Sequence, residues 1–250
     1  MSTTDVLALI PARYASSRLP GKPLVEIAGK PMIQHVYERV ASAGTISRTV
    51  VATDDERIFA TTTGFGGEAI MTSAAHISGT DRIAAAAREI GQHSIILNVQ
   101  GDEPMVDPTM LDMLIAALDQ TDAECATPVA RITGTRELLD PNVVKVVLRH
   151  DFSPLYFSRS PIPFVRDRAP EDWPDCAVFY RHIGVYAYRR AGLERFVGAM
   201  PSPLESCEQL EQLRMLDLGM KIICVEVEYN GHAVDTPEDV MRVEALMESR

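Results

Sequence analysis

The chain has 250 residues, 46% of them apolar, and a formal net charge of −11. That length suits one large α/β domain, or a domain with an inserted part, and the apolar share is ample for a core. The acidic balance argues against nucleic acid as the main partner, and no apolar run approaches the ~20 residues of a bilayer span, so no membrane partner is expected.

The opening, MSTTDVLALIPAR, lacks a basic leader, and its apolar run is too short for a signal peptide. Cys125, Cys176, Cys207 and Cys224 are scattered and form no CxxC, so neither a zinc site nor a disulfide framework is expected. A reduced, cytoplasmic setting fits. The run 6–10 reads as a buried strand that breaks at Pro11 into PARYASSRLPGKP. The prolines hold this loop open, and Gly21 permits close approach or positive φ. Arg13, Arg18 and Lys22 stand in it without an acid between Pro11 and Pro23. Such a loop can grip a polyphosphate, or it is a solvated basic loop. It is neither a P-loop nor a dinucleotide fingerprint, because GxxxxGK[ST] and GxGxxG are both missing.

Residues 31–43 read as a helix with Pro31 in its first turn and Ile33, Val36, Tyr37 and Val40 on one stripe. Strand 49–53 follows, and Asp54 and Asp55 start a short helix. Strand 68–71 precedes an alanine-rich helix through Ile90, which Thr80 or Asp81 is expected to cap. Strand 94–99 is strongly apolar, and helix 107–119 carries Met110, Leu111, Leu114 and Leu118 in register. Apolar strands alternating with helices predict an α/β fold, a mostly parallel sheet with helices on both faces. In such sheets ligands bind beyond the carboxyl ends of strands, where PARYASSR, TDDER and QGDEP lie. From about 124 to 190 the pattern turns β-rich (CATPVARI, VVKVVLRH, LYFSR, HIGVYAY), which reads as an inserted β-rich subdomain or an extension of the sheet. Helices near 189–199 and 203–218, the strand KIICVEVEY and a closing helix complete the chain.

Several clusters carry chemistry. Asp102 in QGDEP follows the central strand and is either a turn residue or a Mg²⁺ ligand. Asp235 in VDTPEDV is a natural helix N-cap, or a second metal ligand if it meets Asp102. HISGTDRI offers Ser78, Gly79, Thr80 and Arg82, either as an ordinary helix start or as a ligand contact in which Arg82 reaches a base carbonyl or a phosphate. Alternation along RHIGVYAY puts His182, Gly184 and Tyr186 on one strand face. Glu205, Glu208, Glu211 and Gln212 fall near one face of an acidic helix, solvated by default but able to accept from sugar hydroxyls.

PARYASSRLPGKPL, VATDDERI, SGTDRI, NVQGDEP, LYFSR, RHIGVYAY, LEQLR and VDTPEDV occur in an order that resembles the CMP-sugar-acid synthetases, and within them the 3-deoxy-manno-octulosonate cytidylyltransferase (CMP-Kdo synthetase) family. The resemblance spans nearly the whole chain. It implies a nucleotide-diphospho-sugar-transferase-like, Rossmann-like fold. It also implies a Mg²⁺-dependent homodimer, with its interface in the 124–190 insert, that couples CTP to Kdo for lipopolysaccharide assembly. By matching position, Arg13 and Lys22 would contact the CTP phosphates. Ser78, Gly79, Thr80 and Arg82 would meet the cytosine and ribose end. Asp102 and Asp235 would ligate Mg²⁺, and Gln100, His182, Tyr186, Glu208, Glu211 and Gln212 would face the sugar acid. His232 departs from the small residues the family usually has before VDTPED, and its ring is expected to bear on Asp235. Alternatives are the same chemistry on 8-amino-Kdo or a sialic acid, a sugar-1-phosphate nucleotidyltransferase, and a non-catalytic CTP-binding sensor.

Overall fold

Val6, Leu7, Ala8, Leu9 and Ile10 have no exposed surface, as a strand with neighbours on both edges and cover on both faces requires. They begin β1 (Val6–Ala12) in a computed structural model that describes residues 5–15, 19–229 and 231–248. The chain divides into two compact units, 1–113 with 230–250, and 114–229.

In the first unit β1 is followed by a small hairpin, β2 (Glu26–Ile27) and β3 (Lys30–Pro31), and then by α1 (Met32–Ala41), β4 (Arg48–Thr53), α2 (Glu56–Gly64), β5 (Glu68–Met71), α3 (Gly79–Ile90) and β6 (Ile95–Asn98). The strand order is β5-β4-β1-β6, and all three pairings are parallel. Their continuous apolar runs and the intervening helices account for that arrangement. α4 (Pro108–Gln120) carries the chain onward.

The second unit holds β7 (Cys125–Ile132), α5 (Thr135–Leu139), β8 (Lys145–Leu148), β9 (Pro154–Ser158), α6 (Trp173–Cys176), β10 (Phe179–His182), β11 (Tyr186–Arg189), α7 (Arg190–Val197), α8 (Pro203–Glu208), α9 (Gln212–Asp217) and β12 (Ile222–Glu226). β7 is its spine. β10 and β11 lie antiparallel to β7, β12 pairs with β7 in parallel, and β8 and β9 extend the sheet beyond β10. The stretch expected to be an insert, 124–190, falls within this unit. α10 (Pro237–Glu248) belongs to the first unit again. Among the described residues no helix is long and apolar enough to cross a membrane.

One core of the second unit gathers Val129, Val146, Phe157, Leu210, Leu213 and Cys224. Phe157 is fully buried there. Phe157→Ala is expected to cost about 3–5 kcal/mol, read as a lower denaturant midpoint with little change in slope.

Candidate active site

The loops leaving β1 and β6, with the start of α3, border a crevice of about 440 Å³ in the first unit. Arg13, Lys22, Gly79, Gln100, Asp102 and Asp235, six of the residues singled out from the sequence, line it. Two glycines allow the close approach. A Cβ at Gly101 would stand 3.0 Å from the Pro11 carbonyl oxygen, and one at Gly79 would stand 3.3 Å from Pro11 Cγ. The basic loop departs at Arg13, whose Nη2 donates to the His76 carbonyl at 2.6 Å. Gly21 closes the loop with a φ of 70° and an N–H bond to the Tyr14 carbonyl at 3.0 Å. That left-handed backbone favours glycine and opens the short turn that presents Lys22. Arg18 lies outside the described residues.

Lys22 Nζ donates to Asp102 Oδ2 at 2.6 Å and to Asp235 Oδ1 at 2.9 Å. Two aspartates far apart in the sequence therefore aim at one point. Burial alone would lower the ammonium, but the two carboxylates outweigh it and hold Lys22 above its ordinary 10.5. The backbone does the joining: the Val234 N–H donates to the Asp102 carbonyl at 2.9 Å. The Val234 side chain is buried with Ile27, Met32, Met105 and Val243. Thr236, not Asp235, caps α10, accepting the Asp239 N–H on Oγ1 at 3.4 Å. Asp235 lines the crevice, with its carboxylate on Lys22. His232, expected to bear on Asp235, meets Asp239 instead of contacting that carboxylate through a hydrogen bond of its own: its Nε2 lies 2.8 Å from Asp239 Oδ1.

The aspartate pair suits a hard divalent cation. Asp102 Oδ2 and Asp235 Oδ1 converge on the Lys22 ammonium, itself a cation, and the side chains are 29% and 37% exposed. Among the described residues no group of three or more His, Cys, Asp or Glu could hold a metal; Mg²⁺ commonly takes one or two carboxylates with phosphate and water.

The HISGTDRI reading needs two corrections. Ser78, rather than Thr80 or Asp81, caps α3; its Oγ accepts the Asp81 N–H at 3.1 Å while the Asp81 carboxylate accepts the Ser78 N–H at 3.3 Å. Thr80 is buried in the first turn. Arg82 is fully buried, donating from Nη2 to Asp54 at 2.8 Å and from Nη1 to the Thr72 hydroxyl at 2.5 Å. It braces the segments after β4 and β5 instead of facing a ligand. The signal was available, since Arg82 shares a buried stripe with Ile83, Ala86 and Ala87.

In the second unit RHIGVYAY is two strands, not one. His182 opposes Val129 and Ala187 opposes Ala126, so five steps on one side match three on β7. Two residues bulge out around Gly184. His182 and Tyr186 nevertheless come together, with ring centroids 5.4 Å apart. Thr127, which the sequence reading passed over, joins them. Its Oγ1 lies 2.8 Å from His182 Nε2 and donates to the Val185 carbonyl at 2.8 Å. With that hydroxyl proton committed, the ring proton sits on Nε2 and the lone pair on Nδ1. Gln212 Nε2 stands 3.5 Å from Nδ1, and Gln212 Oε1 accepts the Tyr186 hydroxyl at 3.2 Å. Burial, reinforced by the Arg181 charge, pushes the His182 imidazole down from 6.5 to about 3.

The acidic run is also not a single helix. α8 and α9 are separated at Gln209, which takes a left-handed φ of 55°. The expected common face is therefore lost. Glu205 is buried against Arg214, and Glu208 accepts the Ser158 hydroxyl at 2.7 Å and the Arg159 N–H at 2.9 Å. Glu211 stands at the start of α9, and Gln212 joins the His182 network.

A parallel sheet with a polar crevice beyond the ends of its strands is an arrangement that binds nucleotides, and comparison with known proteins makes the chain a nucleotidyltransferase. The cytidylyltransferase family matches residues 7–222. The 3-deoxy-manno-octulosonate cytidylyltransferases of Geobacter metallireducens and Syntrophobacter fumaroxidans are 48% and 51% identical, covering 95% of this chain and 96% and 95% of their own. A solved CMP:2-keto-3-deoxy-manno-octonic acid synthetase complexed with CTP is 42% identical, with a TM-score of 0.91 over 98% of this chain and 99% of that one. A cytidylyltransferase from Leptospira borgpetersenii, 18% identical over 98% of this chain and 87% of its own with a TM-score of 0.65, shares the fold alone. The chain belongs to the 3-deoxy-manno-octulosonate cytidylyltransferase family.

The His182 assignment has a direct readout. Nitrogen-15 spectra should show the Nε2–H tautomer, unchanged from about pH 8 to about pH 5; a midpoint inside that range would contradict it. Since the folded ring protonates near 3 and the unfolded ring near 6.5, its contribution to stability is full above 6.5 and is lost as pH falls towards 3.

Proposed function

We propose that this protein couples CTP to 3-deoxy-D-manno-octulosonate (Kdo), giving CMP-Kdo and pyrophosphate for lipopolysaccharide biosynthesis. The carrying observation is the convergence of Asp102 and Asp235 in one crevice with Arg13, Lys22 and Gln100, in a chain whose relatives bear that activity in their names. In the reaction, the anomeric hydroxyl oxygen of the sugar acid bonds to the α-phosphorus of CTP as the bond to the pyrophosphate oxygen breaks, and the hydroxyl proton passes to solvent water. Arg13 and Lys22 offset the charge that builds on the leaving group. Asp102 and Asp235 are the residues that would hold Mg²⁺, which supplies electrophilic stabilisation of phosphate oxygens and activation of the attacking hydroxyl. Ser78, Gly79 and Thr80 serve the cytosine and ribose end, and Arg82 supports that end through Asp54 and Thr72.

In the second unit His182, Tyr186 and Gln212 bind sugar hydroxyls. Being held neutral, His182 accepts a hydrogen bond on Nδ1 and orients a hydroxyl; it is too weak a base to remove the proton. Gln100, Glu208 and Glu211 complete the reading of the sugar contacts. The same proposal includes a cytoplasmic homodimer; exposed Leu155, Phe164 and Val178 in the 124–190 stretch support an interface there.

Pyrophosphate release with CTP, Mg²⁺ and freshly prepared Kdo is the direct test. Turnover with Kdo should exceed that with 8-amino-Kdo or N-acetylneuraminate by about tenfold or more. CTP binding without pyrophosphate release from any of the three would point to a sensor. Asp102→Asn should lower kcat by roughly 100-fold or more with an unchanged thermal melt; near-normal turnover at saturating Mg²⁺ would remove Asp102 from the metal site.

A further inference from the structure

Asp239, in the first turn of α10, uses both carboxylate oxygens. Oδ2 accepts the Asp235 N–H at 3.0 Å, the Thr236 N–H at 2.9 Å and the Thr236 hydroxyl at 3.0 Å. Oδ1 takes His232 Nε2 at 2.8 Å. A helix start needs only the reciprocal bonds between Thr236 and Asp239. The bonds to the Asp235 amide and to His232 go beyond that need. They gather three residues of an irregular segment onto one carboxylate, and the residue whose direction they set is Asp235. From the other side, the segment is held by the Val234 amide on the Asp102 carbonyl. Burial would raise the Asp239 carboxyl, but the His232 ring and the Asp235 and Thr236 amides outweigh it and bring the group down to about 2, so it is an anion at neutral pH.

We propose that Asp239, steadied by His232, is the positioning residue that aims the Asp235 carboxylate into the crevice. The inference rests on the reading of Asp235 as a divalent-cation ligand. It also accounts for His232, the departure from the family's small residues, because the imidazole supplies the bond that stops the Asp239 carboxylate from rotating. Loss of Asp239 frees the Asp235 amide and lets the Asp235 carboxylate wander. Arg13 and the backbone around Gly79 are untouched, so nucleotide affinity without metal stays the same.

The test uses Mn²⁺ as the probe, titrated by electron paramagnetic resonance into full-length protein with CTP present. Asp235→Asn should weaken Mn²⁺ binding about tenfold or more, and Asp239→Ala should do so by a similar factor. Asp239→Asn should stay within about twofold, because its amide oxygen can still accept the backbone N–H groups and the imidazole can change tautomer. His232→Ala should weaken binding by about two- to threefold. In metal-free protein, the Asp235 and Thr236 amides of Asp239→Ala should exchange faster while the middle of α10 stays protected; exposure of the whole helix would mean a structural role only. Normal Mn²⁺ binding by Asp239→Ala, with Asp235→Asn impaired, sinks the inference and leaves the metal reading standing. Normal binding by Asp235→Asn sinks both. Should Asp239→Ala fail to fold, His232→Ala decides, and an unchanged Mn²⁺ affinity overturns the proposal.

Discussion

One backbone hydrogen bond, from the Val234 N–H to the Asp102 carbonyl at 2.9 Å, holds the crevice together. It sets the segment before α10 beside the turn after β6, so that residues far apart in the chain form one electrostatic unit. The Val234 side chain anchors the bond in a core with Ile27, Met32, Met105 and Val243. Pulling a fully buried valine out of such a core costs about 1.5–3 kcal/mol. The bond and the buried valine both hold the arrangement in place, as a site built on fixed charges requires. Lys22 completes it, since two carboxylates brought this close would otherwise repel.

The two units solve different chemical problems. The first concentrates charge, with Lys22, Arg13 and paired carboxylates lining one crevice where Gly79 and Gly101 pack closely on Pro11. The second hides a neutral network. His182, Thr127, Tyr186 and Gln212 are linked by hydrogen bonds in a buried setting, with the His182 Nδ1 contact to Gln212 long at 3.5 Å. Converging charges suit a triphosphate, and oriented neutral donors and acceptors suit hydroxyl groups.

Much of the first unit was legible in the sequence because its signals are local. Apolar runs ending in PARYASSR and QGDEP mark strands that deliver polar loops, and the crevice forms at those loops. The meeting of Asp102 with Asp235 was not legible from spacing, since nothing local records a contact between distant segments; it came from resemblance. Arg82 misleads because its charge draws more weight than its place on the buried stripe of α3. The break at Gln209 had no glycine or proline to announce it. A residue with a side chain takes the left-handed conformation there, and tertiary contacts through Glu205 and Glu208 decide the matter.

The bulge between β10 and β11 is two residues long, and the number matters. Paired residues across a sheet project to the same side, so slipping by an odd count would turn Tyr186 and Tyr188 over to the opposite surface. An even slip lets the chain absorb extra length while His182, Tyr186 and Thr127 go on sharing one side of the sheet. Length changes in this short stretch are thus governed by parity: a pair of residues can come or go, whereas a single one would invert the strand that follows.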